Sequence, residues 1–83
     1  MSIPSKRQER AVREAAAHLE WGATVMTDML AGLVIVRVPE ANVDKVAETT
    51  VDFFQILSRS MSAQEFRALD VAFIVDEDAK GEG

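Results

Sequence analysis

The chain holds few residues whose types and spacing could carry out chemistry. His18 is its one histidine, Glu14 lies one helical turn before it, and cysteine is absent. Nucleophilic catalysis by a histidine needs both a nucleophile and an orienting carboxylate, and no serine is near His18 in the sequence. A single imidazole without thiolates cannot supply a zinc site. We therefore predict no catalytic residue and no metal site.

Two groups of carboxylates in the sequence are candidates for cation binding. Asp44, Glu48 and Asp52 recur every fourth residue, so a helix would align them in an acidic stripe. A helical di-metal site normally adds Glu-x-x-His partners, which this chain lacks. The run 76–78 (Asp-Glu-Asp) lacks the ligand spacing and the glycine of a calcium loop. We interpret that run as protection of a strand end, and the stripe as a candidate protein contact.

Charge is unevenly spread along the chain. Its 83 residues carry a net charge of −5; residues 1–38 hold five basic and four acidic residues, and residues 39–83 hold four basic and ten acidic ones. Phosphate recognition requires clustered Lys and Arg. The basic residues near the start, Lys6, Arg7, Arg10 and Arg13, alternate with acids. Nucleic-acid binding through that face is therefore an alternative rather than the main expectation.

Five segments have clear secondary-structure signals. Residues 5–20 read as a helix that opens with a Ser5–Gln8 capping box, and residues 42–60 as a helix with Asn42 as its N-cap. A second capping box, Ser62–Glu65, starts a short helix over 63–68. Residues 33–38 and 70–76 alternate as strands do. Pro39 ends the first of these strands because proline cannot donate to a ladder.

Residues 21–32 allow two readings. In the preferred one Gly22 caps the first helix, residues 24–29 form a strand, and residues 30–32 form a hairpin loop. The threonines and valine in 24–27 favour this strand. In the alternative, one long helix spans residues 5–31, ends at Gly32 and is followed by strand, helix and strand. Its apolar residues would follow a heptad seam.

The preferred reading predicts a small α+β domain in the order helix, strand, strand, helix, short helix, strand. Its three-stranded sheet is expected to be mainly antiparallel, with two long helices. If both helices cover one face, the other face carries Leu33, Ile35 and Arg37 beside Ala72 and Ile74, and an apolar open face expects a partner. If each helix covers one face, no such surface exists. Trp21 is either a core residue or an exposed binding anchor.

This order of elements is similar in topology to that of type II K-homology RNA-binding modules. Those modules need a Gly-x-x-Gly loop between two helices to approach the nucleic-acid backbone. The corresponding turn here, residues 58–61 (Ser-Arg-Ser-Met), contains no glycine. The similarity is therefore one of topology and implies no family membership.

Together these observations predict one domain over residues 1–83, with residues 1–4 and 77–83 as frayed tails. We expect a non-enzymatic, cytoplasmic interaction module without a cofactor: a small acidic regulator, inhibitor or accessory subunit. Its partner is expected to be another protein, a second copy of the chain or both, and not a membrane. The candidate contacts are Trp21, Leu33, Ile35, Arg37, Asp44, Glu48 and Asp52. The other alternative is a ligand site or enzyme site formed between subunits.

Overall fold

The computed structural model describes residues 3–76. The elements in chain order are α1 (Lys6–His18), β1 (Thr24–Asp28), β2 (Leu33–Pro39), a 3-10 turn (Glu40–Asn42), α2 (Val43–Ser60), α3 (Ala63–Ala68) and β3 (Val71–Asp76). The predicted α+β class and order of elements are confirmed. The alternative helix over residues 5–31 does not form, because α1 ends at His18 and a strand follows. Of the expected tails, residues 1, 2 and 77–83 lie outside the described range.

The sheet has the order β1–β2–β3 and is mixed rather than mainly antiparallel. β1 pairs antiparallel with β2 across the hairpin, whereas β2 pairs parallel with β3. The length of α2 explains this direction. Its 18 residues extend about 27 Å, so they carry the chain back along the whole of β2. The next strand therefore starts at the same end as β2 and runs in the same direction.

Both long helices pack on one face of this sheet. The side chains of Val34, Val36 and Val38 on that face are 0, 0 and 3% exposed, and they share one core with α1 and α2. Leu33 and Ile35, on the other face of β2, are only half-buried. The shortest dimension of the domain is 15 Å, which fits one helix layer on one sheet. The alternative with one helix on each face is therefore wrong.

Two capping boxes fix the starts of α1 and α3, as predicted. The Ser5 hydroxyl accepts a bond from the backbone N–H of Gln8 at 3.1 Å, and the Ser5 N–H donates to the Gln8 side chain at 2.8 Å. Ser62 and Glu65 repeat this arrangement at α3. The Gln8 amide also donates to the Glu65 carbonyl oxygen at 3.0 Å, so the first turns of the two helices are bonded to each other.

The C-terminal end of α1 is closed by Glu20 and not by Gly22. The N–H of Glu20 donates to the Ala17 carbonyl, and the N–H of Trp21 donates to the Ala16 carbonyl. These two bonds define a Schellman motif, whose C′ residue adopts a left-handed conformation. Glu20 has φ +59°, where glycine is normally preferred. Gly22, also left-handed at φ +65°, instead turns the chain into β1.

Trp21 lies between these two left-handed residues and is fully buried. Its ring stacks on Phe53 of α2, with centroids 4.6 Å apart. Its indole N–H donates to the Thr49 hydroxyl at 2.8 Å, and that hydroxyl donates to the Lys45 carbonyl at 2.7 Å. Thr49 has non-helical backbone angles and marks a kink in α2. The tryptophan thus joins the end of α1 to the bend of α2.

Two local predictions need correction. β1 ends at Asp28, not at residue 29, and the hairpin loop is therefore four residues long. The Asp28 carboxylate accepts bonds from the backbone N–H groups of Leu30 and Ala31, both at 3.0 Å, which favours the turn directly after Asp28. Asn42 makes no side-chain cap bond. Its amide donates instead to the Trp21 carbonyl at 2.7 Å, which ties the start of α2 to the turn after α1.

Replacing Glu20 with glycine is expected to stabilise the domain. The left-handed conformation costs a residue with a Cβ about 1 kcal/mol, and a glycine avoids this cost. We expect the free energy of unfolding, measured by urea denaturation, to rise by about 1 kcal/mol in Glu20→Gly. Glu20→Ala separates conformation from charge, since it removes the carboxylate from the helix C-terminus but keeps the Cβ. An equal gain in both variants would contradict the conformational explanation.

Removing the Thr49 hydroxyl is expected to destabilise the domain. In Thr49→Val the indole N–H of Trp21 stays buried without an acceptor, which costs about 1–3 kcal/mol. Thr50→Val is the matched control, because the Thr50 hydroxyl donates to the Val46 carbonyl of its own helix. Urea denaturation of both variants tests the difference. Equal losses of stability would show that the bond to Trp21 has no special weight.

Candidate docking surface on the open sheet face

The sheet face that points away from α1 and α2, hereafter the open face, has an apolar centre. The register places Met26, Ile35 and Ala72 side by side across the three strands. Ile74 lies beside Arg37 in the next row. Met26 is 46% exposed and Ile74 is 45% exposed, although both belong to regular strands. An exposed apolar sheet face of this kind is typical of an interaction surface.

The hairpin turn extends this apolar surface beyond the sheet. Leu30 is 98% exposed and Met29 is 63% exposed. Together with Met26 and Ile35 they line a shallow concavity of about 350 Å³. Methionine side chains are unbranched and adapt to different partner shapes, and they are common at binding surfaces. The concavity therefore offers an adaptable apolar contact at one end of the open face.

Polar side chains border this apolar centre. The Arg37 guanidinium lies 3.8 Å from the Asp76 carboxylate, and both side chains are partly exposed. At the opposite end Asp28 holds the hairpin turn through its carboxylate. Thr24 lies opposite Arg37 on the outer strand. An apolar centre with a polar rim is the usual anatomy of a protein–protein interface.

Three of the residues singled out in the sequence meet on this surface. Leu33, Ile35 and Arg37 alternate along β2 and all point to the open face. The acidic stripe is elsewhere: Asp44, Glu48 and Asp52 are exposed on α2. They lie on the outer side of the helix layer, because Val46, Phe53 and Leu57 are the buried residues of α2. One flat partner surface cannot contact the stripe and the open face at once. Trp21 is fully buried and belongs to the core.

The three most accessible apolar side chains of the β1 hairpin were not among the contacts predicted from the sequence; they belong to Met26, Met29 and Leu30. Met26 has a readable signal, since it alternates with Val25 in a predicted strand and so must face away from the core. Met29 and Leu30 have no such sequence signal, because their exposure follows from the end of β1 at Asp28. That end is fixed by the turn bonds of the Asp28 side chain.

The basic residues of α1 are partly engaged within the domain. The Arg7 guanidinium lies 3.3 Å from the Glu65 carboxylate. Arg13 pairs with Glu9 at 2.9 Å and also donates to the Val25 carbonyl at 3.1 Å. The backbone N–H of Ser62 lowers the pKa of Glu65, and the charge of Arg7 lowers this pKa further. The turn between α2 and α3 also buries Met61 in the core rather than presenting an open loop.

The described residues show no other concentration of chemically active groups. Within residues 3–76 no group of three or more His, Asp or Glu side chains is placed to hold a metal ion. Asp76 of the acidic run lies in this range, whereas residues 77 and 78 lie outside it. His18 and Glu14 are both exposed on α1. None of the helices in the described range has the length and apolar character needed to cross a membrane.

Comparison of the chain with models of protein families, with curated proteins and with solved structures finds no match.

The capping box of α3 predicts a pH effect. The ionised Glu65 accepts the Ser62 N–H, so its pKa is lowered on folding. The stability it contributes is fully present above the unfolded pKa and is lost as the pH falls through the folded pKa. We expect an NMR pH titration to place the Glu65 pKa below that of a glutamate in a peptide. In Arg7→Gln the pKa should rise only partly, because the backbone bond remains. A complete return to the peptide value would assign the effect to Arg7 instead.

Proposed function

We propose that this protein is a non-enzymatic interaction module that docks on another protein through the open face. The observation that carries the proposal is the exposure of Met26, Ile74 and Leu30 on a surface that no element in the described range covers. Burying an apolar side chain against a partner stabilises a complex by about 25 cal/mol per Å² of area removed from water. The open face thus supplies a driving force for association that the domain itself does not use.

The rim of the open face supports a protein partner in particular. Arg37 and Asp76 place opposite charges 3.8 Å from each other. The rim therefore lacks the strong positive charge that binding to nucleic acid or to an anionic membrane would need. The apolar centre would give affinity, whereas the charged rim would select partners by charge complementarity. Arg37 can recruit a carboxylate of the partner in addition to Asp76, which would make it a specificity contact.

The mechanism that follows is occupation of a partner surface. A small regulator, inhibitor or accessory subunit acts in this way, by covering a surface or completing an assembly. We place this action in the cytoplasm, because a chain without cysteine forms no disulfide and so fits a reducing compartment.

A charge placed in the centre of the open face is expected to abolish docking. Met26→Glu adds a carboxylate that would be buried unpaired in the complex, and this cost is expected to weaken binding by at least about tenfold. Ala17→Glu is the matched control, because Ala17 is exposed on α1, far from the open face. The tagged chain and both variants are expressed in the native host, and the bound proteins are quantified by mass spectrometry. Circular dichroism and urea denaturation verify that both variants fold.

The expected result is a protein that is enriched by the wild-type chain and by Ala17→Glu but not by Met26→Glu. Retention of that protein by Met26→Glu would exclude the open face as the docking surface. Capture of nucleic acid that is lost in Arg10→Ala would instead favour binding through the basic face of α1. If the wild-type chain enriches nothing beyond the bare tag, the proposed function is wrong.

A further inference from the structure

The outer edge of β3 is unpaired within residues 3–76, since the sheet ends at this strand. The Val34 N–H donates to the Asp70 carbonyl at 2.9 Å, so the backbone groups of Asp70 point toward β2. Backbone groups of successive strand residues point to opposite sides. The N–H and carbonyl groups of Val71, Phe73 and Val75 therefore point outward. They form a template on which a further strand can pair.

Features that normally prevent such pairing are missing from the middle of this edge, although Asp70 and Asp76 place a charge at each of its ends. Natural edge strands carry lysine, proline or a bulge, but residues 71–75 (Val-Ala-Phe-Ile-Val) contain no charged residue and no proline, and they pair with β2 in unbroken register. Phe73 is 40% exposed and Val75 is 45% exposed, although both lie on the helix side of the sheet. They border a groove of about 100 Å³ between β3 and α2, lined also by Val43.

The same apolar surface continues onto α2. Phe54 is half-buried and contacts Phe73, with ring centroids 6.4 Å apart. Val51 is 69% exposed one helical turn before Phe54. Apolar atoms thus flank the unpaired edge above the sheet, and Ile74 flanks it below. A strand added to this edge would bury side chains on both of its faces as well as satisfy its backbone.

The sequence of this edge is close to a palindrome, which identifies the occupant. Residues 70–76 read Asp-Val-Ala-Phe-Ile-Val-Asp. In an antiparallel pair of two such strands centred on Phe73, each Val71 meets Val75 of the second copy, and each Ala72 meets Ile74. The small Ala72 thus opposes the larger Ile74, and Phe73 opposes Phe73 of the second copy. The outward backbone groups of Val71, Phe73 and Val75 all find partners. A two-fold axis requires this self-complementarity, whereas a foreign peptide does not.

The charges at the two ends of this pairing also match, and Arg37 takes part in them. In this register Asp76 faces Asp70 of the second copy, and two adjacent carboxylates alone would repel each other. Arg37 lies on the same face, paired in register with Ile74 and 3.8 Å from the Asp76 carboxylate. Its planar guanidinium carries donors for more than one carboxylate. It can therefore bridge Asp76 and the Asp70 of the second copy at each end of the interface.

We propose that two copies of this chain associate through β3, antiparallel and centred on Phe73, to form a continuous six-stranded sheet. The pairing does not rest on the docking function proposed above, because its backbone bonds use the edge of the sheet and not the apolar centre of the open face. It would join the open faces of both copies into one surface. An interface made by one strand and one helix flank is small, so we expect a dissociation constant on the order of micromolar.

The first test is the mass of the wild-type chain by light scattering, from about 1 to about 300 µM, a range that brackets such a constant. We expect a reversible monomer–dimer equilibrium. In Val75→Pro the proline removes one outward N–H without removing a bond to β2. The dissociation constant of the dimer is therefore expected to rise by about tenfold or more. Val75→Thr keeps the N–H and the branched shape, so it should change the constant far less. A wild-type monomer at every concentration, or equal effects of both variants, would overturn the proposal.

Charge variants test the register itself. Asp70→Lys places an ammonium opposite Asp76 of the second copy, so the dimer should tighten by about threefold or more. Arg37→Ala should weaken it, because the two carboxylates then lack a bridging cation. An unchanged or weaker dimer in Asp70→Lys would exclude pairing centred on Phe73. Met26→Glu, which lies on β1 away from this edge, should keep the wild-type dimer while losing the docking partner. The two proposals can therefore fail separately.

Discussion

The burial of Trp21 is the interaction on which the rest of this domain depends. The side chain stacks on Phe53 and donates to Thr49, while its carbonyl accepts from Asn42. One residue thus fixes the end of α1, the start of α2 and the kink within α2. A domain of 83 residues without disulfides has little stability to spare. A large aromatic side chain with its single polar group satisfied supplies much burial at low conformational cost.

This arrangement also determines which surfaces remain open. Because Trp21 holds α1 and α2 side by side, both helices cover the same face of the sheet, and no element of the described range is left for the other face. Phe53 and Phe73 contact Trp21 and each other, so β3 is placed beside α2 with its outer edge exposed. The open face and the unpaired edge therefore both follow from the packing around Trp21.

Local sequence signals predicted much of the fold. Capping boxes and strand alternation act over a few residues, so Ser5–Gln8, Ser62–Glu65 and the alternation along β2 could be read directly. The cap at Glu20 could not, because glycine is the usual left-handed residue and Gly22 lies only two positions away. The bond of Asn42 to Trp21 joins residues 21 positions apart and overrides a local capping preference. The parallel direction of β3 likewise depends on how far α2 carries the chain.

The residues of the candidate surfaces were likewise predicted from local sequence patterns only in part. Alternation placed Leu33, Ile35 and Arg37 on one face, because a strand has a period of two. Helical spacing aligned Asp44, Glu48 and Asp52, but only the packing of α2 shows that this stripe lies on the far side of the molecule. The exposure of Leu30 follows from turn bonds that no periodicity describes.

β3 physically links the two surfaces. Its side chains alternate, so Ile74 contributes to the open face while Phe73 and Val75 flank the edge above it. Backbone pairing at the edge would leave the outward direction of Ile74 unchanged and would bring two copies of it onto one continuous face. A partner that spans both copies would then bury more apolar area than one copy offers. Such a partner would favour the dimer by mass action, because it binds the paired state more tightly than the single chain.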